Sequence, residues 1–122
     1  MAKPAMSPRG RSKAAEPTPE FRPLTPALMD RLAEVLRGGW GAGCWCLYPR
    51  LGEAGLRALP GPGSASQRRR QAMAERAGQT PAPGLLAFSD GQPVGWVAIA
   101  PRAEFQRLVA SRATPPVDGQ AV

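Results

Sequence analysis

The 122-residue chain is long enough for one domain at most, and its two cysteines and lack of histidine exclude a disulfide framework and leave a metal site without its usual ligands. The net charge of +7 points toward nucleic acid, but it is concentrated: +3 over 1–23, +3 over 66–76 and +1 over the remainder, with no recognition motif beside either cluster. No stretch approaches the roughly 20 apolar residues of a membrane span, and no apolar run follows the basic N-terminus, so a cytoplasmic protein is expected.

Residues 1–23 carry five basic and two acidic side chains, five prolines and one large aromatic, Phe21. That composition buries too little apolar area to offset ordering and predicts a disordered basic arm. The foldable part is 24–113, and 114–122, "TPPVDGQAV", is expected to be an irregular tail.

The first element begins at Thr25-Pro26, a cap followed by a proline where a helix tolerates one. Leu28, Leu32, Val35 and Leu36 recur at helical spacing, Leu24 can staple onto Met29, and Gly38-Gly39 supplies a left-handed exit. "GCWCLYPR", 43–50, is dense in aromatic and small apolar residues and predicts a strand, with Cys44, Cys46 and Tyr48 on one side and Trp45 and Leu47 on the other. The two cysteines then act as small buried hydrophobes. Residues 51–63, "LGEAGLRALPGPG", hold enough Gly and Pro to predict a loop with at most one turn.

Ser64 and Gln67 have capping-box spacing and predict a helix to about Ala77. Its apolar face is thin, Ala72, Met73 and Ala77, and Arg68–Arg70 are expected on a solvated surface. After a turn over 79–83, Leu85–Phe88, Asp90-Gly91 and the run from Val94 to Ala100 predict a β-hairpin. Apolar residues occupy both sides of the second strand, which predicts helices covering both faces in a three-layer α/β arrangement. Pro101 ends the ladder, and Phe105, Leu108 and Val109 predict a helical stub. The sheet is then left with an unpaired outer edge, which natural domains normally cover or charge.

No catalytic constellation is evident: there is no histidine base, no nucleophile elbow and no phosphate-cradling loop between strand and helix. In order and wording, however, "CWCLYPR", "SQRRRQAMAERAG", "APGLLAFSDGQPVGWVAIAPR" and "EFQRLVASR" resemble the N-terminal half of bacterial GNAT-superfamily N-acetyltransferases. The resemblance covers roughly 24–118. It implies a mixed sheet flanked by helices on both faces, opening with a strand, then two helices, then an antiparallel hairpin, and it implies acetyl transfer from acetyl-CoA to a small-molecule or peptide amine, with no metal.

In that superfamily the acetyl-CoA pyrophosphate sits on a helix N-terminus in a loop of the form Q/R-x-x-G-x-G/A after the fourth strand. No such loop occurs in these 122 residues. The expectation is therefore a truncated, inactive, acceptor-side portion of the fold that binds no acetyl-CoA alone. Tyr48, Arg50, Trp96 and Arg102 are candidates for lining the acceptor pocket, against the competing reading that they serve core and strand-end packing. No catalytic base carries over. Two other readings stand beside this one: an interaction module whose bare edge is completed by another polypeptide or a second copy, and a basic nucleic-acid-associated protein.

Overall fold

The computed structural model describes residues 18–39 and 41–113. The chain is a small mixed α/β unit built on a three-stranded antiparallel sheet in the order β1-β2-β3, where β1 is Glu20–Pro23, β2 is Gly84–Ser89 and β3 is Gln92–Ala98. Between β1 and β2 run three helices: α1, Met29–Leu36, entered through a 3-10 turn at Pro26–Leu28; α2, Tyr48–Arg57; and α3, Ala65–Ala77. A second 3-10 turn, Arg102–Glu104, and a one-turn helix, α4, Gln106–Val109, follow the hairpin.

The hairpin forms where its turn chemistry places it. Asp90 and Gly91 both take positive φ, 53° and 77°, the primed-turn geometry that matches strand twist. A bulge between Ala87 and Phe88 shifts the register, so that Gly84 faces Ala98, Leu86 faces Trp96 and Phe88 faces Pro93. Leu24, Leu32, Leu47, Met73 and Leu86 are fully buried, and with Met29, Leu36, Leu56, Ala72, Ala77 and Phe88 they form one core between the helices and the Leu86–Phe88 side of the sheet.

Several expectations hold. The Ser64–Gln67 capping box is closed in both directions, at 2.7 and 3.1 Å, and Ala72, Met73 and Ala77 are the buried residues of α3. Leu24 and Met29 both join the core, and Gly38 takes a left-handed φ of 73° just beyond α1. The helical stub is present at Gln106–Val109.

Others are corrected. The basic arm was expected to reach residue 23, but Glu20–Pro23 pairs with Phe88–Leu85 as β1. All four of its residues are exposed, so it is held by main-chain pairing and leaves no burial pattern to detect. Residues 1–17 and the expected tail, 114–122, lie outside the described residues.

The strand expected over 43–50 does not form. Trp45 and Cys46 adopt left-handed backbone, φ 56° and 60°, in a tight turn, and Pro49 opens α2 instead. The loop expected over 51–63 is largely the rest of α2, kinked at Gly52, whose φ of 69° is what lets a helical turn break and resume there.

The helices cover one face of the sheet and not both. On the other face Leu85 and Ala87 are half-buried, and Phe21 and Val97 are 63% and 50% exposed. The three-layer expectation therefore reduces, among the described residues, to two layers. Among the described residues no strand lies beside the outer edge of β3.

Candidate functional site

The four candidate residues separate into a corner and a core position. Tyr48 and Arg50 lie in the first turns of α2, against the 3-10 turn that holds Arg102 and against α4. Trp96 is on β3, its ring lying over Gly84 on the helix-covered face. The structure thus groups Tyr48, Arg50 and Arg102 and turns Trp96 toward the core.

Arg50 dominates the corner. Its side chain is 3% exposed, and its guanidinium joins three separate segments. Nη1 donates to Glu104 Oε1 at 3.0 Å, and Nη2 donates to the carbonyls of Pro83 at 3.0 Å and Ile99 at 3.2 Å. The Phe105 ring lies 5.1 Å from its Cζ. Burial pushes the guanidinium below its ordinary value; Glu104 opposes that shift and Arg76 adds to it. Nε is buried without a partner beside a cavity of about 30 Å³, room for one water, whose lining includes Arg76, Pro83 and Ala100. Through its Nη1 and Nη2 bonds Arg50 ties the start of β2, the end of β3 and the following turn to α2.

Its neighbours are similarly engaged. The Arg107 guanidinium stacks on the Tyr48 ring at 4.9 Å, leaving Tyr48 38% exposed, and Arg102 Nη2 donates to the Leu108 carbonyl at 3.0 Å. Trp96 Nε1 is buried without a hydrogen-bond partner. Burial pushes the nearby Cys46 thiol above its ordinary value; the Trp96 indole N–H lowers it in turn without reaching hydrogen-bond geometry, and Cys44 raises it slightly. Both cysteines are free and half-buried.

The three arginines of α3 lie half-buried at the surface, as expected, and fasten neighbouring segments through exposed hydrogen bonds. Arg68 Nη1 donates to the Gly63 carbonyl at 2.6 Å, Arg69 Nη1 to the Gly43 carbonyl at 2.9 Å, and Arg70 Nη2 to Asp30 Oδ1 at 2.7 Å while lying over the Trp45 ring. Sequence reasoning missed Glu104, the ionic partner of Arg50, because 54 positions separate them and nothing local marks the pair. The Pro49 signal for a helix start was present in "LYPRL" and was outweighed by the aromatic density around it.

The described residues do not fit the acetyl-CoA pyrophosphate that the resemblance implies. The Gly61–Gly63 loop leads into α3, but Gln67 N–H donates to Ser64 Oγ and the Gln67 side chain accepts from Ser64 N–H, and no strand precedes that loop. An open groove of about 650 Å³ beside it is lined by Pro60, Gln67, Arg68 and Glu75 among others, with Glu75 its one carboxylate and no Ser, Cys or Lys nucleophile. Among the described residues there is no group of His, Cys, Asp and Glu able to hold a metal ion, and no helix long and apolar enough to cross a membrane. No family model, curated protein or solved structure matches the chain.

Proposed function

We propose that the chain supplies the acceptor-side elements of a GNAT-type N-acetyltransferase, an acyltransferase that moves an acetyl group from acetyl-CoA to an amine of a small molecule or peptide. The observation that carries this reading is the order of the elements around the sheet. A first strand, helices packed on one face, and then a hairpin give the antiparallel order β1-β2-β3, with β3 left as an uncharged edge. The resemblance in the sequence implies a strand, two helices and a hairpin in that order, although the chain sets three helices there and its first strand is Glu20–Pro23 and not 43–50. The edge of β3 is where such a fold places its next strand.

Within this reading the corner around Arg50 frames the acceptor side, with Tyr48 and Arg102 at its rim. The acetyl-CoA donor site is assigned to none of the described residues. The basic nucleic-acid reading finds less support, because the arginines of α3 are engaged with Gly63, Gly43 and Asp30.

The test has two parts. The nucleotide sequence beyond codon 122, read in all three frames, is expected to encode an apolar strand followed by a Q/R-x-x-G-x-G/A loop; its absence from every frame overturns the proposal. Acetyl-CoA titrated into the 122-residue chain in a calorimeter is expected to give no binding heat. A micromolar constant there refutes the reading that these 122 residues hold no donor site.

A further inference from the structure

The strand at the edge of the sheet has an unusual makeup for an exposed ladder. From Gln92 to Ala100 the sequence "QPVGWVAIA" has no charge, although the chain as a whole carries +7. Edge strands normally avoid pairing with other chains by presenting Lys, inward charges or a covering loop. Pro93 and the bulge at Val94, both at the turn end of β3, are such devices, and residues 95–100 carry neither proline nor charge.

The direction of the free groups follows from the register. Ile99 N–H donates inward to the Pro83 carbonyl at 2.9 Å, and Leu85 faces Val97. Alternation along the strand then turns the N–H and C=O groups of Trp96 and Ala98 outward. We infer that this edge pairs with a second copy of the chain, β3 running antiparallel to β3 about a two-fold axis at Val97, so that two three-stranded sheets join into one of six strands.

The side chains favour a second copy over an unrelated strand, because β3 is complementary to itself in this register. Val97 meets Val97 of the second copy. Trp96 meets the second copy's Ala98, and Ile99 meets its Gly95, so each large residue is set opposite a small one. Val97 and Ile99, each 50% exposed in the single chain, become cross-strand neighbours on the open face. With no charge in the run, two strongly basic chains meet here without facing like charges across the ladder. The inference concerns the 122-residue chain itself and stands or falls separately from the acetyltransferase reading.

Sedimentation equilibrium of the full 122-residue chain tests it. At about 100 µM, above the micromolar constants of ordinary specific pairs, the mass is expected to be twice that of the chain. Val97→Lys sets two ammonium groups against each other at the axis and is expected to raise the dimer dissociation constant about tenfold or more. An equimolar mixture of Val97→Lys and Val97→Glu is expected to restore pairing, which only a register that places residue 97 opposite itself predicts.

Far-UV dichroism and melting of each variant report whether the single chain still folds. If the residue 97 variants do not fold, Ile99→Lys replaces the residue that faces Gly95 of the second copy and is expected to raise the dimer dissociation constant; an unchanged constant then overturns the inference. A wild-type chain that is monomeric with a cooperative melt overturns the inference and leaves the edge to a different polypeptide. A Val97→Lys chain that stays dimeric also overturns it and points to pairing through the open sheet faces.

Discussion

Replacing Arg50 with alanine asks whether the corner is a structural tie or a ligand-binding surface. The side chain is 3% exposed and makes two charge-assisted hydrogen bonds to carbonyls, Pro83 and Ile99, and one to Glu104. Each bond to a carbonyl contributes about 1.5–3 kcal/mol net, or about 3–6 kcal/mol for the two. The Glu104 bridge adds little, because that carboxylate is 53% exposed and water replaces the guanidinium when it is lost. Against this, the substitution removes the buried, unpartnered Nε, whose desolvation costs about 1–3 kcal/mol in the native chain. Pro83 O also keeps the bond from Ile99 N–H. The expected loss is about 2–4 kcal/mol, a fall in melting midpoint of roughly 10–25 °C for a domain of this size. Urea unfolding followed by tryptophan fluorescence measures it, and Glu104→Gln is the control, expected to cost less than about 1 kcal/mol. If Arg50→Ala loses less than about 1 kcal/mol, the guanidinium is not holding the hairpin to α2 and the structural role assigned to it is wrong.

Two further substitutions probe the sheet and the loop beside it. A Cβ on Gly84 would collide with the Val97 carbonyl oxygen and the Trp96 ring, so Gly84→Ala is expected to cost about 3 kcal/mol, read as a lower urea midpoint with an unchanged slope. A loss under about 1 kcal/mol would show that Trp96 does not lie over Gly84. For Cys46 the folded chain holds the thiol proton more tightly than the unfolded chain does. Its contribution is therefore complete below the ordinary thiol value of 9.0 and is lost as the pH rises through and beyond it. Above about pH 9 the wild type is expected to lose unfolding free energy more steeply than Cys46→Ala, and parallel pH profiles there would contradict the burial of that thiol.

What the sequence disclosed, and what it hid, divides along local and distant causes. The hairpin and α3 were legible because their determinants sit within a few residues of each other: Asp90-Gly91 sets the turn, and Ser64 and Gln67 satisfy each other's backbone groups. The turn at Trp45 and Cys46 was not, because left-handed backbone at a bulky residue persists only when packing elsewhere over-determines it, and Trp45 is 8% exposed with its indole N–H on Ser66 Oγ at 3.2 Å. The candidate corner was legible in part. Arg50 was named for an acceptor pocket against a reading as strand-end packing, and the partners that define its structural role, Pro83, Ile99 and Glu104, come from segments far along the chain. Coverage of the sheet was misjudged because an apolar strand announces that both sides avoid water without saying which element shields each.

Glu20–Pro23 completes the sheet while offering its neighbours almost nothing but peptide groups, apart from the Arg22 guanidinium 5.2 Å from the Phe88 ring. A ribbon so attached is indifferent to most replacements along it, and the instructions for its docking are written in Gly84–Ser89. Searching for this segment in a distant homologue by matching letters is then bound to fail; the durable signature is the unsatisfied flank of β2, which will recruit whatever extended stretch precedes α1.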